Sequence, residues 1–317
     1  MLGSDLIDAD LKPFLPIFDA IRYDMESLAT TRSQLLAMLA AATPPLPEGV
    51  TKRECFTRAT AASPEVRLLV YTPDNSSGLR PALLNIHGGG YVAGLPEMQE
   101  AENARLAAQL GIVVVSPDYR LAPETRYPGS VEDCYAALDW MVANASELDL
   151  DPSRIAVGGE SAGGGLAAAL SLLARDRKRY KIAFQHLIYP MIDDRPHRSV
   201  QADSPVGLHV WTREASAFGW SCLLGDARGA PDVSAYAAAS RASDLSGLPP
   251  AFIACGALDF FIDENLEYAR RLVHAGVSTE LHLYPGAPHG FTLMDGSYSC
   301  SRFRLDSTAA LGRALRI

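Results

Sequence analysis

The chain has 317 residues, 48% of them apolar, with a formal net charge of −9, enough for one large α/β domain with insertions or two smaller domains. The acidic balance argues against a sequence-independent grip on nucleic-acid phosphates or an anionic membrane surface. Five cysteines, Cys55, Cys134, Cys222, Cys255 and Cys300, without C-x-x-C spacing, indicate neither a disulfide framework nor a zinc knuckle, and suit a reducing cytoplasm.

At the N-terminus, Asp5, Asp8 and Asp10 stand where a signal peptide would carry lysine or arginine. From Phe14 the residues Phe14, Phe18, Ile21, Met25 and Leu28 step by four and three, and Leu35, Leu36 and Leu39 continue. This spacing predicts an amphipathic helical region, ended by "TPPLPEGV". "KRECFTRAT" and "EVRLLVYTP" are strand-like and joined by "AASP", a hairpin-like start to a sheet. "PALLNIH" and "GIVVVSP" are nearly continuous apolar strands, as expected in a sheet covered on both faces.

Helices are then predicted from about Met98 to Leu110, Val131 to Ala145 and Ala162 onward, preceding the strand-like runs "IVVVS", "RIAVGG" and "IAFQHLIYP". That alternation implies right-handed crossovers and a mainly parallel sheet. The most apolar window, Ala162 to Ala174, is too short to cross a bilayer and is a buried helix. The basic run "RDRKRYK", Arg175 to Lys181, closes it as a solvated helix end. After Pro190 the chain is polar and turn-rich, with one helical piece from about Thr212 to Leu224: an insertion. Strand "AFIAC", a helix from about Asp263 to His274, strand "TELHLY" and a terminal helix complete the unit.

"RIAVGGESAGG" carries the strongest chemical signal. Gly159, Glu160, Ser161, Ala162 and Gly163 fit G-x-S-x-G between a strand-like run and an Ala/Leu-rich helix. A sharp strand-to-helix turn strains the serine backbone and requires neighbours without side chains to collide with it. Ser161 is thereby presented at the sheet edge beside a helix N-terminus that favours a developing anion. A serine nucleophile needs a base, and the base an orienting acid. Of seven histidines, His186, His274 and His282 fall within strand or helix patterns, and His197 and His209 belong to the insertion. His289, in "YPGAPHGF", follows the last strand on a loop, where a sheet presents reactive side chains. The acid is expected just past "AFIAC" at Asp259, with Asp263 the alternative; Asp263 and Glu264 are better placed to charge the next helix start.

"NIHGGGYVAG" follows the third strand. An oxyanion at an attacked carbonyl needs at least two preorganised N–H donors about 3 Å away. Ala162 can supply one, and the bare backbone of Gly89 and Gly90 the others, with Gly88 allowing close approach and His87 anchoring the loop. No G-K-[ST] or G-x-G-x-x-G accompanies these glycines, which disfavours a phosphate cradle. Asp193 and Asp194 near His197 match no helix-borne metal spacing, and a solvated turn is expected there.

With "HGGG", "PDYRLAPE" (Pro117 to Glu124), "GESAGG", Asp259 to Glu264 and "HGF" in this order, the chain resembles the hormone-sensitive-lipase-like (family IV) bacterial esterases of the α/β-hydrolase superfamily. The likeness runs from about Val66 onward. Contexts at 128–138 and 150–159 and the run "RASDLSGLPP" resemble the heroin-esterase-like members in particular. Two departures stand out: Glu160 where many relatives have Asp or Thr, and "DFFIDE" for the common "DPLRDE", placing Phe260 and Ile262 at the Pro and Arg positions.

The resemblance implies an α/β-hydrolase fold, with a mainly parallel eight-stranded sheet flanked by helices and a helical cap. The cap would comprise residues 1–45 and 192–225, and the catalytic domain 46–191 and 226–317. It further implies a triad of Ser161, Asp259 and His289, an oxyanion hole from Gly89, Gly90 and Ala162, and structural roles near the site for His87, Gly88 and Glu160. "PDYRLAPE" would be a structural turn held by charge pairing. Tyr91, Leu208, Trp211 and Phe218 are candidate pocket residues.

The expected activity is hydrolysis of short- to medium-chain acyl or aryl esters through an acyl-enzyme. It requires no cofactor and no metal; the partner is a small-molecule ester, with no nucleic acid and no membrane span. The family also allows a homodimer. An amidase or aryl-acylamide deacetylase with the same triad is the alternative, and a non-hydrolytic small-molecule-binding member is disfavoured because His289 and Ser161 are both present.

Overall fold

The strands named from the sequence assemble side by side because their residues are apolar on both faces: β3 (Arg80–Ile86), β4 (Val113–Pro117), β6 (Phe184–Ile188) and β7 (Ala251–Gly256) are buried throughout. The computed structural model describes residues 5–42, 45–74, 78–195 and 204–317. With β1 (Val50–Phe56), β2 (Arg67–Pro73), β5 (Leu150–Glu160) and β8 (Thr279–Tyr284), the described residues form an eight-stranded sheet in the order β1-β2-β4-β3-β5-β6-β7-β8. Only β2 runs against its neighbours; every pairing from β4–β3 to β7–β8 is parallel. This is the fold expected from the sequence.

Helices cover both faces. α3 (Glu100–Leu110) and α8 (Tyr298–Leu315) bury Leu106, Phe303 and Leu311 on one side. α4 (Gly129–Ala143), α5 (Ala162–Arg177) and α7 (Ile262–His274) bury Leu138, Leu170 and Leu272 on the other. Within α5 every residue from Ala162 to Ala174 is buried, and no helix among the described residues is long and apolar enough to cross a membrane. The basic run lies where α5 ends, with Lys178 in the left-handed cap position and Arg177 paired to Glu132. "PDYRLAPE" is held by charge pairing as expected: Asp118 to Arg67, Arg120 to the fully buried Asp133, and Glu124 to Arg32.

Two sequence expectations need correcting. The helical region from Phe14 is interrupted: a short turn and α1 (Leu15–Phe18) are followed by non-helical residues before α2 (Leu28–Ala42). Polar groups explain the break, because the Asp24 carboxylate accepts from the Ser27 amide and the Thr31 hydroxyl bonds to the Arg22 carbonyl, restarting the helix there. Ile17 and Met25 are left exposed. Nor is the acidic pair after β6 a solvated turn. Asp194 is fully buried, accepting from Arg241 at 2.7 Å and from the Gly229 amide at 2.7 Å. His197 lies outside the described residues.

The insertion carries α6 (Arg213–Leu224), capped by the Thr212 hydroxyl on the Ala215 amide. It is pinned to the N-terminal segment: Asp19 accepts from His209 Nδ1 at 2.7 Å and from the Val210 amide at 2.8 Å, and the Tyr23 ring meets Trp211 edge-on at 4.7 Å. Arg32 fastens α2 to the sheet domain through the carbonyls of Val92 and Ala122 as well as Glu124.

Candidate active site

At the carboxyl end of β5, Ser161 adopts φ 55°, ψ −120°, and α5 begins at the next residue. A non-glycine residue held at positive φ marks a strained, over-determined position. The Ser161 amide donates to Ile188 on β6, and its carbonyl accepts from the Met191 amide. The flanking glycines are required for a more specific reason than clearance of the serine. A Cβ on Gly159 would lie 2.4 Å from the Ile86 carbonyl oxygen, and one on Gly163 would lie 2.0 Å from the same atom. The elbow is thus wedged against the end of β3.

Ser161 Oγ lies 2.9 Å from His289 Nε2, and His289 Nδ1 lies 2.8 Å from Asp259 Oδ2. The other Asp259 oxygen accepts from the Phe261 amide at 2.8 Å. Asp259 is fully buried, and Ser161 and His289 are 6% and 5% exposed. With Nδ1–H donated to the carboxylate, Nε2 is free to accept the serine proton. Asp263 takes no part in this relay. It opens α7, where Glu264 accepts from the Ile192 amide.

The glycine loop lies against the serine turn, where a Cβ on Gly88 would be 3.0 Å from the Glu160 carbonyl oxygen and 3.4 Å from Ser161 Cβ. Gly89 (φ 116°) and Gly90 (φ 62°) are in left-handed backbone regions, and a Cβ would meet Ala93 O at 2.1 Å or the Trp211 ring at 2.0 Å respectively. None of the amides of Gly89, Gly90 and Ala162 donates to another group among the described residues. His87 is fully buried, its Nδ1 is 2.8 Å from the Gly88 carbonyl oxygen, and its ring stacks on Tyr119 at 4.2 Å. Burial pulls its pKa down to about 4, so the ring stays neutral. These contacts fit a loop anchor.

Glu160 also sits in the wall, bonded by the Tyr189 hydroxyl at 3.0 Å and by Thr292 at 3.4 Å. Burial pushes its pKa up to about 7, a rise partly offset by these hydroxyls.

Above Ser161 opens a cavity of about 300 Å³ whose apolar wall includes Phe18, Tyr23, Leu35, Val210 and Trp211. Of the predicted pocket residues only Trp211 lines it. Tyr91 points beneath the loop instead, donating to the Met191 carbonyl at 2.7 Å and packing on Trp220. Leu208 is exposed, and Phe218 packs against the core from the middle of α6. Sequence reasoning missed Tyr189, Glu97, Gln99 and Glu100, all in the wall. Tyr189 had a usable signal, since it follows a parallel strand at its carboxyl end, where α/β sheets place their ligands.

The family described as alpha/beta hydrolase fold matches residues 83–293. A carboxylesterase of Mycobacterium tuberculosis, NlhH, is 36% identical over 292 residues, covering 90% of this chain and 88% of its own. An arylesterase of Saccharolobus solfataricus is 30% identical over 294 residues, covering 90% and 92%. The solved structure titled bacterial heroin esterase is 42% identical, with a TM-score of 0.92 and 99% of each chain covered.

Proposed function

Starting from the premise that this chain belongs to the α/β hydrolases, in their hormone-sensitive-lipase-like family, and is a carboxylic ester hydrolase, we propose that Ser161, His289 and Asp259 form its catalytic triad. The observation that carries this reading is the continuous hydrogen-bonded relay from Asp259 through His289 to Ser161 at the floor of the cavity.

In the first half-reaction His289 Nε2 takes the Ser161 proton as Oγ attacks the ester carbonyl. Asp259 holds the ring in the productive tautomer and stabilises the imidazolium. The amides of Gly89, Gly90 and Ala162 receive the oxyanion, each donor worth about 3 kcal/mol in the transition state. His289 then protonates the leaving alcohol, and water, activated by the same imidazole, hydrolyses the acyl-enzyme. Residues 1–45 and 192–225 act as a two-part cap; the Asp19 link to His209 and Val210 supports this division. The modest cavity favours short- to medium-chain acyl groups.

The test is turnover of p-nitrophenyl butanoate by wild type and Ser161→Ala. We expect the variant to lose a factor of about 10⁴ or more in kcat; comparable rates in the two would overturn the assignment. A parallel anilide substrate separates an esterase from an amidase, and an acyl-length series checks the chain preference.

A further inference from the structure

His289 sits on the loop between β8 and α8, and that loop is held from two directions. One hold comes from its partner in the relay: the amides of Ala257 and Leu258, just before Asp259, donate to the carbonyls of Tyr284 and Ala287. The other comes from the N-terminal segment. The Asp8 amide donates to the Gly286 carbonyl at 3.2 Å, and a Cβ on Gly286, at φ 63°, would lie 2.5 Å from Asp8 Oδ1. Segment and loop are therefore in close backbone contact just before the base.

The same segment holds the far end of the loop. Asp10 Oδ2 accepts from the Tyr298 amide at 2.6 Å and Asp8 Oδ2 from the Ser299 hydroxyl at 3.2 Å, both in the first turn of α8. The Tyr298 amide has no acceptor within its own helix, and a carboxylate there also meets the positive end of the helix dipole. Ile7, Leu11 and Leu15 are buried in one apolar cluster with Ala287, Phe291 and Met294 of the loop. A further contact is indirect: a Cβ on Gly290, next to His289, would lie 3.4 Å from Val210 Cγ1, and Asp19 holds the Val210 amide. One stretch of chain, residues 5–19, thus braces the loop on either side of the base. The demand on this bracing is steep, because misplacing a catalytic group by about 1 Å costs on the order of 100-fold in rate.

We infer that Asp8 and Asp10 are positioning residues for His289, and that the N-terminal segment is a strap that fixes the loop of the base as well as a part of the cap. This inference rests on the triad reading above and adds residues that act through its histidine.

The test is turnover of p-nitrophenyl butanoate per active site, with sites counted by the p-nitrophenolate released on exhaustive labelling with diethyl p-nitrophenyl phosphate. Asp8→Ala/Asp10→Ala should lose about tenfold in kcat per site while KM changes by less than about twofold. Asp8→Asn/Asp10→Asn keeps an acceptor oxygen at each position and should recover to within about threefold of wild type. In a His289→Ala background, with residual rates compared per mole of folded protein, the alanine pair should cost less than about twofold more, since a strap acting through the base then has nothing to position. If the alanine pair does not fold, Asp8→Ala alone replaces it, with an expected loss of about threefold in kcat per site. An unchanged kcat per site overturns the proposal, whatever happens to the melting temperature. So does an undiminished loss in the His289→Ala background, or an equal loss in the asparagine pair. Failure of wild type to hydrolyse the ester, or a His289→Ala variant as active as wild type, counts against the triad reading instead.

Discussion

Replacing Glu160 by glutamine should change how stability depends on pH, by an amount set by the burial of that side chain. In the folded protein its pKa rises from the ordinary 4.5 to about 7. The folded state therefore holds the proton more tightly than the unfolded chain, and the stabilisation is complete only below the unfolded pKa. As pH climbs toward the folded pKa, the unfolded chain gains an ion that the fold resists, and stability falls by about 1.4 kcal/mol per pH unit. Over the window from about pH 5.5 to the folded value the loss is about 2 kcal/mol, after which it levels off. A glutamine is neutral in both states and escapes the loss. Urea unfolding of wild type and Glu160→Gln at about pH 5.5 and about pH 8.5 should show the variant gaining about 2 kcal/mol relative to wild type at the higher pH. A stability difference that stays constant between the two pH values would refute the account. It would mean that Tyr189 and Thr292 solvate the carboxylate well enough to cancel burial.

Two further substitutions test other parts of the structure. Gly90→Ala places a methyl 2.0 Å from the Trp211 ring at a backbone φ of 62°. It should cost about 100-fold in kcat toward p-nitrophenyl butanoate, with a melting temperature lowered by only a few degrees. His186, stacked on Phe252 and bonded to Ser307, has its pKa pulled down to about 3 by burial. It stays neutral in the fold, so its contribution is present above its ordinary pKa of 6.5 and drains away as pH falls toward the folded value. His186→Leu should remove about 2 to 3 kcal/mol of the acid-induced loss between about pH 6.5 and pH 4.5 in matched urea titrations. Parallel curves for variant and wild type would contradict the burial argument.

Much of the sheet domain was legible because its signals are local. Buried parallel strands such as "IVVVS" have no polar face to confuse the pattern, and the glycines at 159 and 163 advertise a close backbone approach. Their true contact, the Ile86 carbonyl, comes from a strand more than seventy residues earlier, and spacing alone could not name it. The preference for Asp259 over Asp263 rested on position relative to the strand end, a property that survives folding, and it is the Asp259 carboxylate that meets His289. The segment from Phe14 resisted reading because its apolar residues are divided among the cavity wall (Phe18, Ile21), the core (Leu15, Leu28) and solvent (Ile17, Met25), so the periodicity suggested a continuous helical region where polar capping at Asp24 restarts the helix. Tyr91 was misassigned for a related reason. Adjacency to the glycine loop says nothing about which side of the loop a side chain at φ 67° leaves from. Asp194 was misread because its partner Arg241 lies 47 residues away.

The contact between Trp211 and Gly90 links two properties usually discussed apart. Trp211 bounds the cavity and also presses against Gly90 of the glycine loop, while a Cβ on Gly219 of α6 would lie 2.5 Å from the Gly90 carbonyl oxygen. Any route by which this enzyme adapts to bulkier esters through position 211 therefore perturbs the reaction machinery in the same step. Epistasis between positions 90, 211 and 219 follows: a smaller side chain at 211 opens space for substrate and also for a Cβ at 90. Tolerance of alanine at 90 should appear only in backgrounds where 211 has already shrunk. Substrate range and turnover in this protein would then evolve along a shared, ordered path.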